Sequence, residues 1–407
     1  MSQVTMSSRE RLLAALTRQG PDHLPCSLYL AQGPWYQPPL FWQDQFQRAE
    51  RLLELGLDPT IDIWLPDCQP SPDVPIKTWR EHRRDATFLI KEYHTPAGVL
   101  RQVVRETPDW CDPLHGPWIP TTFGTEKATG FALHLFDDWS VSRRVEPWVK
   151  GAEDLAKLRY LIRAPEGHLL DEWRRDAERA LAFARRHDLL TQVRRTIAGD
   201  AFQWFCDIPW FMLQLHDDPG FVDEFLSIFQ DWSLRLLELV LDLEVDLVQY
   251  RGWYEPPQFW GVAAYQRHLV PLIEEQTRVV HESGKLHSYL LTEGLAAYAE
   301  TLQGMKVDLL QGVDPRVLGG SLQSLFEVLG DGKSFWGGVN SEVTLASGDG
   351  EAIRGEVREA VQALGGNGGL VLSAIIFPST PVAGILEMIE AWRECGTGSS
   401  AATASVS

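Results

Sequence analysis

The sequence has few cysteines and no spacing of the kind that holds a structural metal. Five cysteines are scattered among the 407 residues, and none forms a Cys-x-x-Cys pair. An odd number of scattered cysteines is typical of reduced thiols, so we expect neither a disulfide framework nor a zinc ribbon. The N-terminal segment also lacks the apolar core of a signal peptide. Together these absences predict a cytoplasmic protein.

Long apolar runs and an excess of basic residues are also missing. No run approaches the roughly 18 apolar residues of a membrane span. Lys and Arg number 37 against 56 Asp and Glu, which gives a net charge of −19 and argues against binding nucleic acid. The composition, 44% apolar and 23% charged, is that of a globular protein and excludes a disordered chain or a coiled coil. The length allows two average domains or one large α/β barrel.

Short apolar runs alternate with amphipathic segments along most of the chain. The runs predict eight strands, at 24–30, 60–65, 189–197, 245–250, 285–289, 307–312, 334–338 and 369–373. Helices are predicted after a capping box at Ser7 and Glu10 and at 43–55, 152–162, 169–186, 207–215, 219–242, 259–282, 294–303, 320–329, 350–364 and 381–393. Eight strand–helix units close naturally into a (β/α)8 TIM barrel. A doubly wound sheet is the alternative, but no Gly-rich phosphate turn follows the first strand.

Residues 66–150 interrupt this alternation, since they are rich in Pro, Trp and charged residues. Alternating apolar and polar residues around Pro96-Ala97-Gly98 predict a hairpin. We interpret the region as an insertion that covers one end of a single barrel domain spanning residues 1–395. The low-complexity segment 396–407 predicts a disordered tail.

Several motifs resemble the uroporphyrinogen decarboxylase superfamily. They are SSRERLLAALTRQGPDHLP at the start, HTPAGVLRQ in the hairpin, and then GKLHSYLLTEG, VDLLQGVDP, SFWGGVNSEVTLASG, IRGEVREAVQALG and GGLVLS in the last third. The resemblance implies a TIM barrel whose cleft lies at the carboxyl ends of the strands, and it implies a homodimer. The superfamily includes the decarboxylases, zinc-dependent methyltransferases that work with corrinoid proteins, and a large set of paralogues without settled activity. The GVDP and WGGVN motifs are most similar to the paralogues.

Two departures from the family patterns bear on the substrate and on the metal. The decarboxylases carry an arginine-containing loop after the first strand, whereas this chain reads LYLAQGPWYQPP at 28–39, with no Arg. Guanidinium groups are the natural holders of several carboxylates, so a uroporphyrinogen substrate is disfavoured. The zinc methyltransferases carry His-x-Cys and a later Cys, whereas here His287-Ser288-Tyr289 is followed by a last strand without Cys. We therefore expect no bound zinc.

Two residues are predicted to carry the chemistry at the ends of late strands. His287 would be a general acid or base facing the cleft, and its alternative is a hydrogen-bonded histidine at the barrel rim. Asp314 would be a general base or an anchor for a polar ligand, and its alternative is a turn residue before Pro315. Gln311 is a weaker companion on the same strand.

The segment after the predicted strand 245–250 supplies further candidates. Arg251 would bind a carboxylate or phosphate, and Glu255 would be its partner or a proton-handling or metal-binding carboxylate; a loop salt bridge is the alternative. Trp253 would stack on a planar ligand or shield the barrel. Asn340 follows two glycines that let backbone amides approach a ligand.

The resemblance adds Asp62 or Asp67, since the decarboxylases have an aspartate near this place that can bind pyrrole NH groups; a surface or capping carboxylate is the alternative for Asp62. We expect Tyr29, Asp62, Arg251, His287, Asp314 and Asn340 to surround one end of the barrel. The chain is thus predicted to be an enzyme that transfers a methyl group from a methylated small molecule, or to or from a corrinoid held by a partner protein, with no tightly bound cofactor. The alternatives are a decarboxylase acting on a tetrapyrrole or another carboxylated substrate, and a non-catalytic barrel that binds a tetrapyrrole or corrinoid.

Overall fold

The computed structural model describes residues 5–30, 37–107, 133–136, 138–377 and 379–398. Its main element is a parallel sheet of seven strands in the order β1-β6-β7-β8-β9-β10-β11. These strands are β1 (Thr60–Trp64), β6 (Leu190–Thr196), β7 (Leu247–Arg251), β8 (Leu286–Leu290), β9 (Leu309–Val313), β10 (Ser334–Val339) and β11 (Leu370–Ala374). Because each later strand lies beside the previous one, the sheet is built from successive strand–helix units, as the spacing of the apolar runs predicts.

The sheet is curled into a half-barrel. Gln192 on β6 donates a hydrogen bond of 3.0 Å from Nε2 to Oε1 of Gln311 on β9. Two strands, β7 and β8, lie between them in the sheet. Side chains that are separated by two strands touch only when the sheet bends around them, so the residues on this face point to a common interior.

The predicted first strand, 24–30, takes a different form. Its backbone forms isolated parallel bridges with β11, in which Ser27 N–H donates to Leu372 at 3.0 Å and Tyr29 N–H donates to Ala374 at 3.1 Å. On its other side, Asp58 N–H donates to Cys26 at 2.8 Å. The segment thus extends the edge of β11, and the described sheet has seven regular strands where we expected eight.

The described residues form fourteen α-helices, most of which cover the outer face of the sheet. They are α1 (Ser8–Leu16), α2 (Gln45–Glu54), α3 (Asp138–Val141), α4 (Glu153–Leu158), α5 (His168–His187), α6 (Ala201–Phe205), α7 (Ile208–Asp217), α8 (Pro219–Val240), α9 (Pro257–Ala264), α10 (Val270–Glu282), α11 (Leu295–Gly304), α12 (Leu322–Leu329), α13 (Gly350–Leu364) and α14 (Val382–Gly398). A π-helical turn, Tyr265–Leu269, joins α9 to α10, and another, Ser341–Leu345, follows β10. Within the described ranges, no helix combines the length and the apolar character needed to cross a membrane.

Helix α1 closes the amino-terminal end of the half-barrel. The predicted capping box is present, because Glu10 N–H donates to the Ser7 hydroxyl and the Glu10 carboxylate accepts from Ser7 N–H. Its apolar face packs against interior side chains of the strands in one cluster: Leu12, Ala15, Leu16, Leu190, Leu247, Leu309, Trp336 and Val371. All eight are buried. This apolar layer fills the interior below the polar residues described next.

The segment 66–150 contains a second sheet of four antiparallel strands, β2 (Ile76–Arg83), β3 (Ala86–Thr95), β4 (Gly98–Glu106) and β5 (Arg144–Glu146). The predicted hairpin is confirmed, since β3 and β4 pair through a two-residue turn between Thr95 and Gly98. The sequence did not reveal β2 and β5. The predicted domain limits remain predictions, and the predicted tail lies almost entirely outside the described residues.

Candidate functional site

Alternation along the strands places a set of polar side chains in the interior, above the apolar layer. Gln311 Oε1 accepts hydrogen bonds from Gln192 Nε2 at 3.0 Å, from Ser288 Oγ at 3.0 Å and from Gln249 Nε2. These four residues are at most 2% exposed. Since side chains on a strand alternate between the two faces, the residue after each of Gln249 and Ser288 points outward. The interior therefore passes from apolar to polar along its axis.

A pocket opens at the carboxyl ends of β9, β10 and β11, and we call this end of the half-barrel the mouth. Between its walls lie about 290 Å³ of space outside the protein atoms, and this space includes open solvent. Its lining combines polar side chains, apolar side chains and two glycines: Tyr29, Gln311, Gly312, Val313, Asp314, Trp336, Gly337, Val339, Ser373, Ala374 and Ile375. The lining therefore offers hydrogen-bonding groups beside apolar surface, as ligand pockets do.

Asp314 is held in this pocket by a closed ring of hydrogen bonds. Its Oδ1 accepts from Arg316 N–H at 2.9 Å and its Oδ2 accepts from Asn340 Nδ2 at 2.7 Å. Glu356 on α13 completes the ring, because it accepts from Asn340 N–H at 2.7 Å and from Arg316 Nε at 2.8 Å. Burial raises the pKa of Asp314, and the two hydrogen bonds oppose that effect. The ring fixes a carboxyl group that can exchange a proton in the pocket.

Arg251 ends β7 and lies in a box of aromatic rings. Its guanidinium carbon is 5.0 Å from the ring centre of Trp204, 5.2 Å from that of Tyr254 and 5.6 Å from that of Trp253. Its Nη1 forms an ion pair with Asp200, which also accepts from Tyr254 N–H at 2.6 Å. The predicted Arg251–Glu255 pair is therefore wrong. Asp200 is the partner, because the loop after β6 brings it nearer to the guanidinium.

Glu255 instead forms a separate buried site behind the mouth. Its two carboxyl oxygens accept hydrogen bonds of 2.7 Å each from the hydroxyl groups of Tyr250 and Tyr289. Burial raises the pKa of Glu255 to about 8, and the nearby Asp200 adds to this rise. At neutral pH the carboxyl group therefore mainly holds its proton. Its oxygens face tyrosines and glycine backbone and are fully buried, so Glu255 does not line the pocket.

Asp62 also points into the interior, where it pairs with two arginines. Its Oδ1 lies 3.0 Å from Arg194 Nε and its Oδ2 lies 3.3 Å from Arg48 Nη2. The guanidinium carbon of Arg194 lies 4.3 Å from the ring centre of Tyr29. Tyr29 also lines the pocket with Asp314. Asp62, Arg194 and the Asp314 pocket thus lie around the same interior.

His287 does not take its predicted place at the mouth. Its Nδ1 shares a hydrogen bond of 2.8 Å with the hydroxyl of Thr277, which belongs to α10 on the outer face. Burial lowers the pKa of His287 to about 3, so the ring is neutral at physiological pH. The expectation failed because alternation was counted from the wrong face: Ser288 points inward and His287 points into the helix layer.

The structure thus brings Tyr29, Gln311, Asp314 and Asn340 together at the mouth. It holds Asp62 and Arg251 in buried ion pairs outside the pocket lining. Trp253 lies beside Arg251, and its ring centre is 6.4 Å from that of Phe377. Sequence reasoning missed Arg194, Asp200 and Glu356. Arg194 lies five residues after the start of the predicted strand 189–197 and on the same face as Gln192, so its inward direction could have been inferred from the sequence. The other two lie on a loop and a helix, where no pattern reveals a contact.

Across the parts of the chain that the structure covers, no three His, Cys, Asp or Glu residues come close enough together to hold a metal ion.

Comparison with known proteins finds one family model that matches the C-terminal part of the chain. Residues 206–395 match the family model of uroporphyrinogen decarboxylase (URO-D). This segment is therefore similar to the uroporphyrinogen decarboxylase family. The resemblance that the late motifs indicate is therefore confirmed, and the URO-D segment contributes Gln311, Asp314 and Asn340 to the mouth. Arg194 and Tyr29 come from the chain before it. No curated protein sequence matches the chain.

Two solved structures resemble the whole chain at low sequence identity. A methyltransferase from Methanosarcina mazei superposes with a TM-score of 0.55 and 17% identity over 96% of this chain and 99% of that chain. A B12-independent methionine synthase from Shewanella sp. W3-18-1, in complex with selenomethionine, superposes with a TM-score of 0.42 and 11% identity over 93% of this chain and 98% of that chain. The first likeness shows that the fold extends beyond the URO-D segment to almost the whole chain.

Proposed function

We propose that the chain is an enzyme of the URO-D superfamily that removes a methyl group from a small methylated molecule. The observation that carries this proposal is the pocket at the mouth, with the carboxyl group of Asp314 in its wall. A methyl group leaves an oxygen or nitrogen more readily when that atom gains a proton. Asp314 would supply this proton to a molecule bound in the pocket.

The network around Asp314 suits a group that gives and regains a proton. Asn340 Nδ2 and Arg316 N–H donate to the two carboxylate oxygens and stabilise the charged form. Burial favours the neutral form and raises the pKa of Asp314. Burial has the larger effect, so the pKa of Asp314 lies above its ordinary value, which favours a role as a proton donor. The leaving atom takes the proton while the methyl group moves to its acceptor.

We propose that the methyl acceptor is a corrinoid carried by a partner protein. A corrinoid supplies a cobalt nucleophile that accepts a methyl group. The pocket at the mouth is too small to enclose a corrin ring, so the residues that line it do not fit a resident corrinoid. A carrier protein would present the ring from outside. We propose a cytoplasmic location, because the described cysteines Cys26, Cys68, Cys206 and Cys395 are free thiols.

Decarboxylation of a small carboxylated molecule is the second candidate. It is favoured by Arg251 and Arg194, two guanidinium groups that reach the interior near the mouth. Guanidinium groups hold carboxylates through paired hydrogen bonds. A whole tetrapyrrole is a poorer substrate for this site, because the pocket is small and the family's arginine loop is absent from residues 28–39. A barrel that binds its ligand without turnover is the third candidate.

The decisive experiment mixes the protein with reduced cobalamin and a panel of O-methylated and N-methylated small molecules. We expect methylcobalamin to form, as seen by absorbance, with at least one donor. Asp314→Asn should abolish the reaction, whereas the matched control Asp349→Asn should not, since Asp349 only caps α13 and Asn caps helices equally well. Release of carbon dioxide from a parallel panel of small carboxylates, with no methylcobalamin from any donor, would establish the decarboxylase instead.

A further inference from the structure

Two buried arginines share one carboxylate in the interior. Arg194 Nε lies 3.0 Å from Asp62 Oδ1, and Arg48 Nη2 lies 3.3 Å from Asp62 Oδ2. The side chains are 4%, 4% and 1% exposed for Arg194, Arg48 and Asp62. Two guanidinium groups carry two positive charges, and a single carboxylate neutralises one of them. One positive charge in this cluster is therefore not balanced by Asp62.

Arg194 also has a buried nitrogen without a hydrogen-bond acceptor. Its Nη1 is buried and finds no partner among the described residues. Guanidinium nitrogens in the interior of a protein are almost always paired, because an unpaired buried donor is costly. A positive charge that Asp62 does not balance in the cluster and an unpaired donor on Arg194 are the two features that an anionic ligand group would satisfy together.

The place of this nitrogen connects it to the pocket. The ring of Tyr29 lies against the Arg194 guanidinium at 4.3 Å and also lines the pocket that holds Asp314. Arg194 follows Gln192 by two residues on β6, so both side chains point into the interior. A molecule in the pocket can therefore direct one end toward Arg194 while its other end lies near Asp314.

We propose that Arg194 binds the carboxylate of a small monocarboxylate substrate across the face of Tyr29. The single excess charge matches a monoanion better than a phosphate dianion or a polycarboxylate. The planar fork of the guanidinium matches the two oxygens of a carboxylate. This inference deepens the proposed function and rests on it for the identity of the pocket as the substrate site.

The first test measures the melting temperature of the whole protein with benzoate, its neutral amide benzamide, or phosphate, at constant ionic strength and with chloride as the reference. We expect benzoate to raise the melting temperature in a concentration-dependent way, because a ligand that binds only the folded state stabilises it. Benzamide and phosphate should give little or no shift. An equal shift with benzamide, a larger one with phosphate, or no shift with benzoate would each overturn the proposal.

The second test uses an Arg194→Gln variant, which leaves Asp62 paired one-to-one with Arg48. Titration calorimetry should show that benzoate binds at least tenfold more weakly to this variant than to the wild type. The matched control is Arg9→Gln, which removes an arginine paired with Asp246 near the amino ends of the strands, and its affinity should equal that of the wild type. Equal weakening in both variants would overturn the assignment to Arg194. If Arg194→Gln does not fold, the comparison of benzoate with benzamide on the wild type decides alone.

These binding tests require no turnover, so their outcome separates from that of the proposed reaction. Selective benzoate binding without methyl transfer would support the carboxylate site at Arg194 and contradict the proposed reaction. Methyl transfer without any preference for benzoate would support the reaction and contradict the carboxylate site.

Discussion

Asn340 donates a hydrogen bond of 2.7 Å from its side-chain amide to Oδ2 of Asp314. This bond joins the loop after β10 to the loop after β9, and Glu356 binds both loops from α13. The proton-handling carboxyl group is therefore positioned by two neighbouring strands and a helix. Such a group keeps its place in the absence of a ligand.

Replacement of Asp314 by Asn should lower the rate of methyl transfer by about 10²–10⁴, the usual loss when a general acid is removed. The fold should persist, because an amide of the same shape still accepts from Arg316 N–H. In the wild type, the rate should fall as the pH rises through the raised pKa of Asp314. A pH profile of the rate together with a melting curve checks both expectations. A variant with a normal rate would remove Asp314 from the mechanism.

Replacement of His287 by Leu should leave the rate almost unchanged, because His287 points toward α10 and away from the mouth. The folded state holds the ring neutral with a pKa of about 3, against 6.5 for the unperturbed ring. The unfolded chain therefore binds more protons between these values, so His287 makes the wild type lose stability as the pH falls from about 6.5 toward 3. Urea unfolding across this range should show a smaller loss in the variant. A rate loss above tenfold in a folded variant would restore the catalytic role.

Replacement of Glu255 by Gln should also change how stability depends on pH, but with the opposite sign to the His287 variant. The folded state holds the proton of Glu255 up to about pH 8, whereas the unperturbed pKa is 4.5. The folded state therefore binds more protons between these values, and the wild type loses stability as the pH rises from about 4.5 through 8. Gln cannot ionise, so its contribution should not change with pH. Urea midpoints that shift in parallel for both proteins would contradict this prediction.

Replacement of Gly199 by Ala should destabilise the fold by about 1–3 kcal/mol, as overpacking typically does. A methyl group at this position would lie 2.4 Å from Oε1 of Glu255, which two tyrosines hold in place. Gly355→Ala is the matched control, since it lies within α13 with nothing within 4 Å. Alanine there should stabilise the protein by about 0.4–1 kcal/mol. Calorimetry should find opposite signs for the two variants, and equal signs would refute the packing argument.

The strand and helix pattern was readable from the sequence because apolar runs alternate with amphipathic ones. The strand predicted at 285–289 lies at Leu286–Leu290, and the helix predicted at 350–364 lies at Gly350–Leu364. Strand β2 of the second sheet could not be predicted from the sequence, because it is exposed along most of its length and carries no apolar pattern.

The site was only partly readable, because direction and pairing are tertiary properties. Asp314 and Asn340 were found because they follow strands, where ligands of such folds bind. The direction of His287 was wrong, because the period of two along a strand tells which residues share a face and not which face is inside. Arg251 pairs with Asp200 and not with the predicted Glu255. The spacing of residues along the sequence does not show contacts between the ends of two different strands.

The apolar layer beneath the polar interior closes the half-barrel at the end opposite the mouth. Leu12 and Leu16 of α1 seal it against Leu190, Leu247 and Trp336, so nothing passes through from below. In the proposed reaction, donor, acceptor and product would therefore use the same opening at the mouth. A small substrate would have to enter before a bulky acceptor covers this opening, and the demethylated product could leave only after that acceptor. The proposed reaction would thus have a compulsory order of binding and release.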